Sequence, residues 1–177
     1  MDMFEKKDYL IVVDMQNDFI TGALGSAEAQ AIVPAVSNLV DTFNPACVYF
    51  TRDTHDENYL ETEEGKNLPV PHCIKGTDGW SLIPELQEKN DGMLNYINKN
   101  SFGFDGWNKI LPDSRAINSI TLCGVCTDIC VVSNALALKA LHPEVPMKVV
   151  ASCCAGSSVE NHDAALAVMK ATQIQII

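Results

Sequence analysis

The chain has 177 residues, of which 47% are hydrophobic and 20% charged, and this length and composition predict one globular domain spanning residues 1–177. A formal net charge of -11 argues against nucleic acid or an anionic membrane surface as a partner, because both bind clustered lysines and arginines. The N-terminal stretch MDMFEKKDYL lacks the apolar segment of a secretion signal, and no later stretch approaches the roughly 20 apolar residues of a membrane span, so we expect a cytoplasmic protein.

Short apolar runs alternate with helical patterns along the chain. The runs predict strands at 9–13, 46–51, 93–98, 119–125, 147–151 and 174–177. The segments between them predict helices at 26–43, about 81–89, 105–111, 127–141 and 158–171. This alternation predicts an α/β fold with an open parallel sheet of about six strands and helices on both faces. The order of the strands does not follow from the pattern.

Each of the first four predicted strands ends beside residues that can do chemistry, which are, in chain order, Asp14, Asp53 with His55, Lys99, and Cys126 with Cys130. Ligands of open α/β sheets bind beyond the carboxyl ends of the strands. We therefore expect these side chains, an acid, a metal-type pair, a base and a thiol, to meet at one site.

Cys130 is the candidate nucleophile. If Thr127 caps the helix 127–141, Cys130 lies at the third helical position, where the helix dipole and free N–H groups lower the pKa of a thiol. Lys99 can stabilise the thiolate, and Asp14 can accept the thiol proton and pass it to a leaving amine. Each residue alone is more often structural, but their joint position favours an Asp/Lys/Cys catalytic set.

The spacing and number of the cysteines favour neither a zinc knuckle nor a disulfide framework. Cys126 and Cys130 have C-x3-C spacing, whereas zinc ribbons and thioredoxin-like sites have C-x2-C. Seven cysteines in a cytosolic chain are expected to be thiols, and an odd number cannot pair completely. We expect structural roles for a further group, Cys47, Cys73, Cys123, Cys153 and Cys154.

A possible metal site lies in the stretch DTHDENYLETEEGKNLPVPHC, which contains Asp53, His55, Glu64 and His72. The D-x-H spacing at a strand end puts two side chains on one face, and a later histidine from a loop can close the site. From spacing alone, however, an acidic loop with a stray histidine is the commoner explanation.

Five stretches together resemble the isochorismatase-like cysteine hydrolases, and within them the nicotinamidases: IVVDMQNDFITGAL (11–24), TRDTHDE (51–57), PVPHCIKGTDGW (69–80), INKNSFGF (97–104) and GVCTDICVVSNALAL (124–138). The resemblance covers almost the whole chain. It implies a three-layer Rossmann-like fold in which Asp14 is the base, Lys99 its partner and Cys130 the nucleophile.

The resemblance also implies a cis peptide bond between Val125 and Cys126. The backbone N–H groups of Cys126 and Cys130 would then form an oxyanion hole. The family commonly has alanine where this chain has Cys126, so we expect only the amide of that residue to take part, and its thiol to be replaceable.

The same resemblance implies a divalent metal. Asp53, His55 and His72 match the family's ligands, and Glu64 is the best candidate for the remaining one, with Glu61 and Glu63 as competitors. Zinc suits such nitrogen and oxygen ligands, while iron and manganese stay open. In the family the metal holds the pyridine nitrogen of the substrate.

The implied reaction is hydrolysis of a small carboxamide, nicotinamide, to the acid and ammonia. We expect Phe19 to line the substrate pocket, with Trp80, Phe102 and Phe104 as weaker candidates. We assign no chemistry to His142 or His162. The alternatives are a related cysteine hydrolase that acts on ureido or N-carbamoyl substrates, and a noncatalytic scaffold or interaction protein on the same fold. A true isochorismatase would lack the nucleophilic cysteine.

The helix 127–141 carries a single charge beyond its first turn, Lys139. A helix with so little charge is expected to be buried on nearly all sides. Because part of that burial can come from a second subunit, we expect a homo-oligomer of undetermined size.

Overall fold

The computed structural model describes residues 5–89 and 95–177. Its described residues form one parallel sheet with the order β3-β2-β1-β4-β5-β6. The strands are β1 (Lys7–Val13), β2 (Val48–Asp53), β3 (Asn95–Lys99), β4 (Ile117–Val125), β5 (Met147–Ala155) and β6 (Gln175–Ile176). This confirms the open parallel sheet predicted from the apolar runs. Of the predicted strand 93–98, residues 93 and 94 lie outside the described residues.

The connections contain the helices α1 (Asn17–Ile20), α2 (Ala27–Val40), α3 (Glu63–Asn67), α4 (Pro84–Gln87), α5 (Trp107–Ile110), α6 (Val132–Leu141) and α7 (Val159–Ala171). Serine side chains cap the two longest: Ser26 accepts from the N–H of Ala29 in α2, and Ser158 accepts from that of Asn161 in α7. The sequence pattern missed α1 and α3, and it made α4 and α5 too long.

The central strand β1 is buried from Tyr9 onward, with Leu10 to Val13 all at 0% exposure, and only its first two residues are exposed. Because successive side chains of a strand point to opposite faces, both faces of the sheet are covered here. This explains why the stretch is a continuous apolar run rather than an alternating one.

The order of the strands puts the topological switch point between β1 and β4, where the chain runs to one side for β2 and β3 and to the other for β5 and β6. Gly124 lies on β4 at this point with φ +114°, and a Cβ atom there would lie 2.1 Å from the carbonyl oxygen of Val13. The absence of a side chain therefore lets the two central strands approach. Asp14, the first residue after β1, also has positive φ, at 50°.

The segment predicted as the helix 127–141 begins differently from the prediction. Residues Thr127–Val131 form a π-helical turn, and the α-helix starts only at Val132. The predicted N-cap, Thr127, is wrong: its side chain is fully buried and its Oγ1 lies 2.8 Å from Nδ1 of His162 on α7. The hydroxyl is engaged by a neighbouring helix and does not cap its own.

The chain by itself buries only part of this helix, and its burial on nearly all sides, which includes a second subunit, stays a prediction. Asn134, Ala135 and Leu138 face the interior, but Leu141 is 39% exposed and Ala137 is exposed as well.

No helix in the described ranges is both long and apolar enough to cross a membrane.

All seven cysteines lie in the described ranges and all are free thiols. The five expected to be structural are buried, in agreement with the prediction: Cys47, Cys73, Cys123, Cys153 and Cys154. Because β5 runs to Ala155, the last two lie inside a strand and not beyond it.

Candidate active site

Asp14 follows β1 at the switch point and is 0% exposed. Its backbone N–H donates to the carbonyl oxygen of Thr51, and the Thr51 hydroxyl donates to Asp14 Oδ1 over 2.6 Å. The other carboxylate oxygen, Oδ2, lies 2.7 Å from Nζ of Lys99. The two oxygens of Asp14 therefore have different partners, which determines the orientation of the carboxylate.

Lys99 ends β3 and is 3% exposed. Besides Asp14, its Nζ lies 3.5 Å from Sγ of Cys130 and 3.5 Å from Oδ1 of Asp53. One ammonium group thus contacts the candidate base, the candidate nucleophile and a candidate metal ligand. Removing one partner of a buried ion pair of this kind costs about 3–5 kcal/mol, because the remaining charge is left without compensation.

The charges of this cluster change the proton affinities of its members. Burial raises the pKa of Asp14, and the positive charge of Lys99 opposes that rise only in part. Burial alone would lower the pKa of Lys99, but the charges of Asp14 and Cys130 outweigh it and raise the pKa. Lys99 is therefore a permanent cation, while Asp14 can bind a proton more readily than an exposed aspartate.

Cys130 lies in the π-helical turn after β4 and is 5% exposed. Contrary to the expectation of a thiolate favoured by a helix N-terminus, burial and the charge of Asp14 raise the pKa of Cys130, with Lys99 opposing. Burial depends on the packing of distant segments and cannot be read from the local sequence. The thiol consequently needs a base to accept its proton, and Asp14 is in the same buried cluster.

The peptide bond between Val125 and Cys126 is cis. The carbonyl oxygen of Cys126 accepts from the N–H groups of Ile129 and Val131, both over 3.1 Å, which closes the turn that carries Cys130. Cys126 is half-buried, and burial raises the pKa of its thiol to about 12. An oxyanion hole formed by the amides of Cys126 and Cys130 stays a prediction.

The four candidate metal ligands converge in space. One ligand atom each from Asp53, His55, Glu64 and His72 lies within 4.8 Å of all the others. Nε2 of His55 is 3.0 Å from Asp53 Oδ2 and 3.7 Å from Glu64 Oε1, and Nε2 of His72 is 3.5 Å and 3.6 Å from the same two oxygens. The competing residue Glu63 points to solvent with its side chain 87% exposed, and Glu61 is exposed too. Glu64 is therefore the acidic residue of this loop that joins the cluster.

Neighbouring groups orient these ligands. Nδ1 of His72 lies 2.8 Å from the carbonyl oxygen of Val70, which as an acceptor selects the tautomer that leaves Nε2 free to bind a metal. The Tyr59 ring packs edge-on against His55 and His72, with centroid distances of 4.7 and 5.0 Å. The buried Gln16 side chain bonds both the N–H and the carbonyl oxygen of Asp53, over 2.7 and 2.8 Å.

The electrostatics of the cluster fit a divalent cation. Burial, followed by the charge of Asp53, raises the pKa of Glu64. Burial would also raise the pKa of Asp53, but hydrogen bonds to His55 and His72 lower it below its usual value. Two carboxylates and two imidazoles are a donor set that zinc, iron and manganese all accept.

A cavity of about 500 Å³ connects the thiol with the ligand cluster. Its lining includes three of the candidate metal ligands, Asp53, Glu64 and His72, together with Cys130. Phe19 and Phe102 are the aromatic residues that line it among the four proposed from the sequence. Trp80 instead stacks on Arg52 and donates to Thr54 Oγ1, and Phe104 packs edge-on against Trp107, so these two expectations are wrong.

Sequence reasoning missed three residues that hydrogen-bond to groups in or beside the site, Thr51, Gln16 and Asn134. Each is a buried polar side chain, at 0% exposure, inside or beside an otherwise apolar element. A buried polar residue in an apolar run is the one signal that could have found them, since such groups are almost always hydrogen-bonded.

The Isochorismatase domain family matches residues 8–177 of the chain. An uncharacterised isochorismatase family protein of Bacillus subtilis is 34% identical over 142 residues, covering 73% of this chain and 77% of that protein. Two solved structures are similar over nearly their whole length. The pyrazinamidase/nicotinamidase of Streptococcus mutans has a TM-score of 0.81 at 31% identity, covering 96% of this chain and 99% of the other. The pyrazinamidase of Pyrococcus horikoshii in complex with zinc has a TM-score of 0.80 at 29% identity, covering 97% and 98%. The fold, the converging Asp/Lys/Cys set and these matches lead to one conclusion: the chain belongs to the isochorismatase family.

Proposed function

We propose that this protein is a metal-dependent amidohydrolase that uses Cys130 to hydrolyse a small carboxamide, nicotinamide, to nicotinate and ammonia. The observation that carries the proposal is the position of Lys99 Nζ, 2.7 Å from Asp14 Oδ2 and 3.5 Å from Cys130 Sγ, next to a cluster of metal-type ligands. Relatives named as nicotinamidases or pyrazinamidases support the same chemistry. The reaction would belong to NAD salvage.

In the first half of the reaction, Asp14 accepts the proton that burial keeps on the Cys130 thiol. The thiolate sulfur attacks the amide carbon, a carbon–sulfur bond forms, and the carbonyl oxygen becomes an oxyanion held by the N–H groups of Cys126 and Cys130. Lys99 stays protonated and balances the negative charge. Asp14 then gives its proton to the amide nitrogen, so ammonia leaves and a thioester remains.

In the second half, Asp14 accepts a proton from a water molecule whose oxygen attacks the thioester carbon. The carbon–sulfur bond breaks, and the sulfur regains a proton from Asp14. The carboxylic acid is released, and the resting enzyme is restored. The same carboxylate therefore acts as base and acid in turn, which suits a group whose pKa burial has raised.

Asp53, His55, Glu64 and His72 would hold the metal, with zinc as the first choice and iron or manganese as alternatives. When bound, it would supply a Lewis-acid position for the ring nitrogen of the substrate. The chain itself positions the ring: Phe19 lines the cavity and packs against His72 with a centroid distance of 5.4 Å.

The cavity favours an uncharged amide. None of the described residues that line it is a lysine or an arginine. N-carbamoyl amino acids carry a carboxylate, which proteins usually bind through such a cation. The lining therefore supports nicotinamide over the ureido and N-carbamoyl alternatives.

Ammonia release tests the proposal with a panel of nicotinamide, pyrazinamide, N-carbamoyl amino acids and ureidoacrylate, run together with elemental analysis of the protein. We expect turnover of the two heteroaromatic amides and about one zinc, iron or manganese ion per chain. Turnover of only the ureido or N-carbamoyl compounds would overturn the assignment. No turnover at all, with Cys130 no more reactive towards iodoacetamide than the other six thiols, would favour a noncatalytic protein.

We further propose that the protein is a homo-oligomer and that it is cytoplasmic. The exposed apolar residues Leu141 of α6 and Val159 of α7, at 39% and 66% exposure, support an interface between copies. Light scattering of the purified protein tests it, and a monomeric mass would contradict it.

A further inference from the structure

Asn134 is a completely buried polar residue of α6 that the proposed mechanism does not use. Its side-chain amide makes four hydrogen bonds. Oδ1 accepts from the N–H of Phe104 and from Nε1 of Trp107, both over 3.0 Å. Nδ2 donates to the carbonyl oxygens of Phe102, over 3.1 Å, and of Cys130, over 2.8 Å. Two donors and two acceptor positions are the full capacity of this side chain.

These bonds join two parts of the active site that come from distant segments. Residues 100–106, which we call the Phe102 loop, lead from Lys99 at the end of β3 to α5. Asn134 holds the backbone of this loop on both sides of Gly103, through Phe102 and Phe104. The same amide group holds the carbonyl oxygen of Cys130, in the turn that carries the nucleophile.

The side chain of Phe102 lines the active-site cavity although it is 45% exposed. At this exposure, nearly half of the surface of the side chain has no protein neighbour to keep it in place. The location of this cavity wall therefore depends on the backbone of the loop, and the loop is tied to the nucleophile's turn by the amide of Asn134.

We propose that Asn134 is a positioning residue that holds Phe102 opposite Cys130 and so selects a flat aromatic amide. The inference rests on the proposed function and deepens it. Asn134 neither lines the cavity nor belongs to the candidate metal ligands; it acts through the Phe102 loop. Its contribution is consequently to substrate binding more than to bond breaking, and its loss raises KM more than it lowers kcat.

Two variants of nearly the same shape test this. Asn134→Asp keeps both acceptor positions but replaces the amide donors with a carboxylate that faces the carbonyl oxygens of Phe102 and Cys130. Asn134→Leu removes all four bonds. Since leaving buried polar groups unpaired costs more than a bond's net value, we expect KM for nicotinamide to rise about tenfold in either variant, with kcat changed by less than about threefold.

Ser133→Ala is the matched control. Ser133 precedes Asn134 on α6, and its hydroxyl donates to the carbonyl oxygen of Ile129 over 2.6 Å. Removing this hydroxyl therefore deletes a hydrogen bond to the turn that carries Cys130 but no hydrogen bond to the Phe102 loop. We expect a KM within about twofold of the wild-type value. An equal rise in KM for Ser133→Ala and Asn134→Asp would show general loosening of the helix and would overturn the inference.

A double-mutant cycle with Phe102→Ala identifies the route of the effect. If Asn134 acts through Phe102, then Asn134→Asp adds less than about twofold in KM once the ring is gone. Independent, multiplying effects would contradict the proposal. The cycle separates a positioning role from a structural one, because a general loss of stability acts in both backgrounds.

Hydrogen exchange keeps this inference separate from the proposed function. In Asn134→Asp the amides of residues 100–106 should exchange at least about fivefold faster than in the wild type, while those of β1 should not change. This readout needs no substrate. Failure of the wild-type protein to hydrolyse nicotinamide would overturn the proposed function, whereas unchanged exchange in the Phe102 loop would overturn the role of Asn134.

Discussion

The two halves of the candidate active site are built differently. In the thiol half, Asp14 follows β1, Lys99 ends β3 and Cys130 lies in the turn after β4, and each residue is at most 5% exposed. The metal half takes only Asp53 from a strand. Its other ligands come from the long connection between β2 and β3, and one of them, Glu64, has a side chain that is 20% exposed. The proposed catalytic groups thus lie at the carboxyl edge of the sheet, whereas three of the four candidate metal ligands lie in the connection between β2 and β3.

The largest effect is expected in the thiol half. Cys130→Ala removes the only sulfur that contacts Lys99 among the described residues and should reduce ammonia release at least about a thousandfold. Cys126→Ala is the control, because only the backbone amide of residue 126 is required, and its activity should stay within about threefold. Full activity of the Cys130→Ala protein would contradict the proposed mechanism.

Loss of the metal half should have a smaller and reversible effect. Treatment with a chelator, or the variant His72→Asn, should lower kcat/KM for nicotinamide about 10–100-fold, since the substrate ring loses its orientation but the thiol and its base remain. Adding zinc should restore the chelated wild type and not Cys130→Ala. Elemental analysis before and after chelation checks the removal, and undiminished activity of the stripped protein towards nicotinamide would contradict the proposed role of the metal.

The smallest effect is expected for Thr51, which orients the base without lining the cavity. Thr51→Val keeps the shape but loses the hydroxyl that donates to Asp14 Oδ1, so kcat should fall about tenfold with KM nearly unchanged. Thr51→Ser retains the hydroxyl and should keep kcat within about threefold. Steady-state kinetics of the two variants measures this effect, and equal kcat values for Thr51→Val and Thr51→Ser would refute a role for the hydroxyl.

Much of the thiol half could be predicted from the sequence, because apolar runs mark strands and the residue after each run is known. Asp14 and Lys99 were found in this way. The metal half needed the resemblance to a family to choose Glu64, since three glutamates within four residues are equivalent by spacing. The structure separates them by direction: Glu63 points to solvent and Glu64 joins the histidines.

Other features depend on contacts between distant segments and could not be predicted. The order of the strands is one, since every apolar run looks alike. The raised pKa of Cys130 is another, because it results from burial and from Asp14 on a separate strand. The helices α1 and α3, with 4 and 5 residues, are too short to display a period. The partner of Thr127 lies on α7, 35 residues away in sequence.

Gly124 has a consequence for the dimensions of the reaction centre. Even one methyl group at this position would clash with the carbonyl oxygen of Val13, the residue just before Asp14. Widening the gap between β1 and β4 would move Asp14, which follows β1, away from the turn after β4 that carries Cys130. The absence of a side chain at Gly124 therefore keeps short the distance over which a proton passes between Cys130 and Asp14 in the proposed mechanism.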